Sequence, residues 1–405
     1  MTRRSFNLLW TCYPVPMSES AQNNHTLHTH RYNRMYFMDP FSSTHVFTEP
    51  AFERLEEEME NKFAQKSIRG FIESLPKTPN RRPPVDFAPF QAAANVYGER
   101  QMYAPLVSFL PHISEVKESE FVLQFAAMRP FLALGWQLVN TSKKCDPDSA
   151  PYAFGRCIKP DGSLYSEHGE ETCRVNDMES FIEIKWTLSD EPFTDIPLEP
   201  TVSNAKKASI EREGLCASDT RGQLSVYANA IQAAQHRTRV FGIYIWRSQC
   251  RLLCHSRSGT IVTPRFDYTN TTHLQEFLWR FSHASPEERG HDTSVERLLP
   301  QDPLAEPART CLLLNRGAPL FKIAVHQAEG DRADHVVTYY IVSEPLTSSF
   351  LYPIGRGMRG YLAFDCQSRV CVFLKDAWRL SVYDQEGVAY LLAGGGGGGG
   401  NGRRE

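Results

Sequence analysis

The chain has no CxxC pair, no run of about 18 apolar residues and no large excess of either charge. Each absence excludes a class of protein. Without CxxC spacing, the ten cysteines, scattered from Cys12 to Cys371, do not read as a zinc ribbon or a dithiol redox motif. They read as reduced, mostly buried thiols, which places the expected location inside the cell, in cytoplasm or nucleus. Without a long apolar run, no membrane span is expected. With a net charge of −3, a broad basic surface for nucleic acid is excluded, though a local patch is not. Arg3 and Arg4 before an apolar run at 6–13 imitate a secretory signal. That run is short, contains Cys12, and leads into prolines without a small-residue cleavage site. His25, His28, His30 and His45 cluster near the start, but their spacing matches no zinc pattern.

A chain of 405 residues exceeds one ordinary core, so more than one unit is expected. Residues 1–84 read as a flexible, polar N-terminal region with one helical stretch at 52–72, and the four prolines of 76–84 read as a linker. A second helical segment is expected at 92–103, stopping before Pro105. From 154 on, the pattern alternates strands (157–165, 179–188, 240–245, 249–254, 260–266) with helices (221–236, 273–281), and a long polar loop at 191–218 interrupts them. This alternation predicts a mixed α/β (α+β) domain over 85–283. Residues 284–335, with Pro286, Pro300, Pro303 and Pro307, read as a linker. A strand-rich unit is expected at 336–392 and a glycine-rich tail at 393–405.

Within the 85–283 domain one constellation carries chemistry. On the strand at 179–188, alternation puts Glu183 and Lys185 on one face, with Ile182, Ile184 and Trp186 on the other. Asp161 lies 22 residues before Glu183, on the preceding strand. Two carboxylates on adjacent strands can hold Mg²⁺ with open water positions, and a lysine beside them can polarise the attacking water. Gln223 and Tyr227 stand four apart on one helix face, as residues lining a site would. The same residues also admit a plain reading, with Glu183 and Lys185 as a simple ion pair and Pro160-Asp161-Gly162 as turn chemistry.

The Asp161, Glu183, Lys185 pattern with its Gln223-x-x-x-Tyr227 helix resembles the PD-(D/E)xK nuclease superfamily, in which a carboxylate on the first helix is usual; Glu99 is the matching candidate here. The resemblance implies a mixed central sheet with flanking helices, Asp161 and Glu183 as metal ligands, and Lys185, Gln223 and Tyr227 as further site residues.

Towards the end stands Gly355-Arg356-Gly357-Met358-Arg359-Gly360, followed by Val372-Phe373-Leu374-Lys375-Asp376. Glycines spaced G-x-G-x-x-G let backbone amides approach nucleotide phosphates, and Lys375, 15 residues past Gly360 on a strand, is placed to reach them. Glu386 opens a possible helix and is spaced to pair with Lys375. A β-hairpin with flexible turns is the plain alternative for the glycines.

These segments are similar to the fungal-type protein kinase family, together with Arg221-Gly222-Gln223 through Tyr227, Gln235-His236-Arg237, Phe277-Leu278-Trp279-Arg280-Phe281 and Phe373–Arg379. The similarity spans about 95–392. It implies ATP bound through Gly355, Gly357, Gly360, Lys375 and Glu386, and possible use of Mg²⁺. The sequence departs from the family in one decisive respect. No His-Arg-Asp-type loop and no Asp-Phe-Gly follow Lys375, so the aspartates that accept the hydroxyl proton and hold Mg²⁺ are missing. The expectation is therefore a nuclease-like domain followed by a truncated, incomplete kinase-like N-lobe. Such a chain would be inactive as a kinase and would act as a binding or regulatory module with a protein partner. Two alternatives stand beside it: a Mg²⁺-dependent nuclease, and a fragment of a full-length protein serine/threonine kinase.

Overall fold

The computed structural model describes residues 57–95, 127–153, 157–166, 173–197, 209–328, 335–347 and 349–380, with Leu55, Gly155 and the backbone of the strand Thr2–Leu8. The chain forms two units. The larger comprises residues 48–292 and the short return 351–354; the smaller comprises 1–47, 293–350 and 355–405. Strand β1 (Thr2–Leu8) belongs to the smaller unit.

The larger unit is a mixed sheet between two helical layers. Its elements in chain order are β2 (Phe63–Gln65), α1 (Ile68–Ile72), α2 (Ala88–Ala94), β3 (Gln137–Asn140), β4 (Gly162–Tyr165), β5 (Ser180–Lys185) and α3 (Leu215–Ala234). They are followed by β6 (Arg239–Trp246), β7 (Gln249–Ser256), β8 (Gly259–Val262), β9 (Phe266–Asp267) and α4 (His273–His283). The sheet order is β2-β8-β7-β6-β5-β4-β3, with β9 beside β7. Strands β5 and β6 run parallel, and α3 lies in the connection between them, as a parallel pair requires a crossover.

Alternation along β5 and β6 sorts residues between two cores. Ile182, Ile184, Phe241, Ile243 and Ile245 face α1, α2 and α4, whereas Phe181, Val240 and Tyr244 face α3. Because both faces are covered, β5 reads as an almost unbroken buried run rather than an amphipathic strand. Helix α4 supplies the stripe Leu274, Phe277, Leu278 and Phe281, all 0 % exposed. Phe241 meets two of these rings, with centroids 6.0 Å from Phe277 and 5.4 Å from Phe281. Gly242 on β6 is required by its direct neighbour on β5, since a Cβ there would lie 2.4 Å from Cζ of Phe181.

The smaller unit is an antiparallel sheet built from β1, β10 (Val295–Arg297), β11 (Phe321–Ala328), β12 (His335–Val342), β13 (Arg359–Asp365) and β14 (Cys371–Leu380), in the order β1-β14-β13-β12-β11-β10. Helix α5 (Ala305–Cys311) packs Ala305 and Ala308 with Leu320, Ile341 and Phe364. Tyr340, Val342, Tyr361, Ala363, Val372 and Leu374 cluster on the other face.

Several sequence expectations need correction. The flexible region expected over 1–84 contains β1, which pairs antiparallel with β14, and β2, which pairs parallel with β8. The helix expected at 52–72 is broken, because Asn61 turns left-handed at φ 59° and the chain then extends into β2. Residues 284–335, expected as a linker, hold β10, α5 and β11; the prolines punctuate the loops and α5 without preventing sheet pairing. The loop expected at 191–218 ends early, since α3 starts at Leu215, and Phe193 is tied to it by pairing with Glu211. The strand expected at 260–266 is two pieces, β8 and β9. Glu99, Glu386, the histidines of 25–45 and the tail at 393–405 lie outside the described residues.

Candidate functional site

The register between β4 and β5 places the acidic residues. Gly162 faces Ile182 and Ser163 faces Phe181, so Asp161, one step earlier, comes level with Glu183. The Asp161 position is held from two sides. Its Oδ2 accepts a 2.8 Å hydrogen bond from the Ile184 amide, and its carbonyl accepts one of 3.0 Å from the Thr141 amide. Asp161 and Glu183 are both buried, 8 % and 2 % exposed. On the same face of β5, Lys185 Nζ lies 2.5 Å from Glu183 Oε1, with the lysine partly open to solvent.

Helix α3 covers this face. Gln223 donates to the Tyr227 hydroxyl at 2.7 Å, and that hydroxyl donates to the Lys159 carbonyl at 3.0 Å, two residues before Asp161. Burial holds the Tyr227 hydroxyl well above its usual range; the charge of Glu183 pushes the same way, the Gln223 bond opposes it, and Asp161 adds a further push. The structure thus brings Asp161, Glu183, Lys185, Gln223 and Tyr227 into one neighbourhood. Among the described residues, no group of three or more His, Cys, Asp or Glu is arranged to hold a metal ion. The pair can offer two carboxylates to a divalent cation, and a complete shell would need water or further oxygens.

The second candidate set lies in the smaller unit. Gly355 and Gly357 have positive φ, 84° and 46°, and a Cβ at Gly355 would meet no atom within 4 Å. Gly355 is thus exposed, whereas Gly357 is buried. Gly360 is different. It sits on β13 directly opposite Lys375 on β14, and a Cβ would lie 2.8 Å from Phe373 Cζ and 3.0 Å from Thr347 Cγ2. Its lack of a side chain therefore serves packing. Thr347 also accepts from the Gly360 amide at 2.9 Å and donates to the Met358 carbonyl at 3.1 Å, closing the base of the loop. Lys375 is half-buried between β13 and β1, while the adjacent Asp376, on the opposite face, is buried 3.9 Å from Arg359. Gly355 and Lys375 thus place an exposed backbone segment and a half-buried ammonium in the same unit.

Two charged nodes went unnoticed in the sequence. Glu179, just before β5, meets Arg237 Nη2 at 3.0 Å, Arg289 Nε at 3.2 Å and His291 Nε2 at 3.0 Å. Burial alone would raise its carboxyl, but the His291 hydrogen bond and the arginine charges outweigh it and hold the group well below the usual carboxylate range. Arg251, 2 % exposed, bridges Glu191 at 2.8 Å and Asp195 at 2.6 Å. The partners are tens of residues apart, so no local pattern reveals them. The only signal was Gln235-His236-Arg237. Gln235 donates to the Met178 carbonyl at 2.9 Å while Arg237 reaches Glu179, so this motif anchors the entry to β5. Arg221 is similarly structural, donating to the carbonyls of Pro192 at 3.0 Å and Arg212 at 2.6 Å.

A family model described as fungal protein kinase matches residues 205–393. That span takes in α3, the Gln235–Arg237 anchor, the whole of α4, the glycine loop and Lys375. No curated protein and no solved structure matches the chain.

Proposed function

Through residues 205–393 the chain belongs to the fungal protein kinase family, and on that premise we propose that these 405 residues act as a binding and regulatory module, inactive in phosphoryl transfer and directed at a protein partner. The observation that carries the reading is the asymmetry of the nucleotide elements. The exposed Gly355 and the half-buried Lys375 offer backbone and a cation to phosphates. No His-Arg-Asp or Asp-Phe-Gly follows Lys375 in these residues. Phosphoryl transfer depends on a base for the hydroxyl and on carboxylates for Mg²⁺, so a lysine and a glycine loop alone give weak nucleotide contact without chemistry. The family implies ATP and Mg²⁺ in general, and their binding by these residues is part of what is tested.

The test is a titration with ATP and Mg²⁺ alongside incubation with labelled ATP and generic protein substrates. Weak binding or none, with transfer no greater than in Lys375→Met, supports the module. A low-micromolar Kd, or transfer that Lys375→Met abolishes, overturns it in favour of kinase activity.

A second reading rests on a separate observation, the convergence of Asp161, Glu183 and Lys185 under Gln223 and Tyr227. In it the larger unit is a Mg²⁺-dependent nuclease: the carboxylates hold the cation and Lys185 polarises the attacking water. Cleavage of DNA or RNA with Mg²⁺ or Mn²⁺, lost in Asp161→Asn and Glu183→Gln while both variants stay folded, would establish it. Absence of cleavage by wild type leaves the cluster as a structural ion pair.

A further inference from the structure

Beyond both proposed sites, two thiols on the rim of the larger unit are placed to react with each other. Cys145 and Cys157 are both exposed, and the Cys145 side chain acts directly on the Cys157 thiol. The backbone sets this up. Beyond β3 and β4 the two segments stay paired: the Thr141 hydroxyl donates to the Pro160 carbonyl at 2.7 Å, and the Asp146 amide to the Ile158 carbonyl at 3.1 Å. Asp146 and Ile158 form an antiparallel bridge, so the cysteines that precede each of them project on one face as diagonal neighbours. Both segments are pinned. The Asp146 carboxylate accepts from the amides of Asp148 at 2.9 Å and Val175 at 2.5 Å, and the Ile158 amide donates to Ser149 Oγ at 2.8 Å.

The other thiols of the region are poor competitors. Cys173 is buried with its sulfur 4.0 Å from the Ile158 carbonyl, and burial pushes its thiol up to about 12. Cys216 is exposed but lies in the first turn of α3, well away in sequence.

We propose that Cys145 and Cys157 form a reversible disulfide when the protein meets a peroxide, making this rim a redox modification site. One thiolate attacks the peroxide, becoming a sulfenic acid and releasing water. The second thiol's sulfur then attacks the sulfenic sulfur, forming the S–S bond and releasing a second water. Two thiols and one hydrogen peroxide thus become one disulfide and two waters, and an external thiol reverses the step by exchange. Burial, and after it the contact with Cys145, raises the Cys157 thiol, so oxidation should accelerate as pH rises and thiolate accumulates. The crosslink would fasten the strand ends two residues before Lys159, whose carbonyl receives the Tyr227 hydroxyl.

The full chain is treated with hydrogen peroxide, alkylated, digested and mapped by mass spectrometry. The expected result is an intramolecular link between the peptides carrying Cys145 and Cys157, with loss of two hydrogens, reversed by dithiothreitol. The oxidised protein should melt at a higher temperature than the reduced protein, because the link constrains the unfolded chain. Cys145→Ser should lose both the link and this difference while melting like reduced wild type. Cys216 serves as the internal control: if it becomes oxidised while Cys145 and Cys157 both remain alkylatable, the proposal is wrong. It is equally wrong if the mapped bond joins any other pair, or joins two chains.

Discussion

The larger unit gathers buried charges into multi-partner clusters, whereas the smaller unit sets a buried pair, Arg359 and Asp376, beside an exposed glycine. In the larger unit β5 is buried on both faces, and the carboxylates on it and at its entry are partnered: Glu179 meets the cations Arg237 and Arg289 and a hydrogen bond from His291, and Glu183 meets Lys185. In the smaller unit Gly355 is exposed with open space around its Cα, Gly357 is buried, and Lys375 stands half-buried on its strand. Buried charges are held by geometry and are costly to disturb, whereas exposed loops can change at small cost. Substitutions at the buried clusters should therefore cost more stability than substitutions at Gly355 or Lys375.

The largest expected effect tests the buried side of that contrast. Glu179→Gln removes the common partner of two buried arginines, and breaking such a cluster costs about 3–5 kcal/mol. Lys375→Met in the smaller unit should cost about 1 kcal/mol or less. Urea unfolding of both variants gives the comparison, and equal losses would end it.

Acid sensitivity should also come from the larger unit. Burial lowers His255 from 6.5 to about 3, with its ring hydrogen-bonded to Thr260 at 2.7 Å. Between those values the unfolded chain takes up a proton that the folded chain refuses. Stability is thus complete above about pH 6.5 and falls by about 1.4 kcal/mol per pH unit down to about 3. His291, also lowered by burial, adds to the slope, so His255→Gln should reduce it without abolishing it. Glu179, whose folded pKa is depressed, contributes nothing to the slope until pH falls into the ordinary carboxylate range. Urea titrations at pH 7 and pH 5 distinguish the two.

A glycine series sharpens the contrast at smaller scale. Gly242→Ala drives a Cβ to 2.4 Å from the Phe181 ring and should cost about 1–3 kcal/mol, since both faces of that sheet are packed. Gly360→Ala meets Phe373 and Thr347 at longer distance and should fall towards the lower end of that range. Smallest is Gly355→Ala, with open space around the new methyl and only the left-handed backbone to oppose it, costing about 1 kcal/mol. Thermal melts rank the three, and the order should hold even if the absolute losses differ.

Much of the larger unit was legible in its sequence because its cues are local. The β6–β7 hairpin, α4 and the core of α3 all follow from side-chain periodicity, and the one-face placement of Glu183 and Lys185 follows from alternation on β5. Residues 284–335 misled because their prolines outweighed three short elements, each stabilised by pairing or packing with distant partners. The region before 84 misled for the same reason, β2 existing only through its pairing with β8.

Sequence by itself determined the alternation of strands and helices, the acidic pair with its lysine and glutamine–tyrosine helix, and the glycine loop with Lys375. Only the tertiary structure decided that Asp161 comes level with Glu183, because register is set by strand pairing across a 22-residue gap. It also decided that Gly360 serves packing while Gly355 leaves open backbone, because the same residue type is constrained by whatever stands opposite it. And it turned Gln235-His236-Arg237 from a motif into an anchor, because a buried carboxylate at Glu179 had to be neutralised by whichever cations the fold could bring to it.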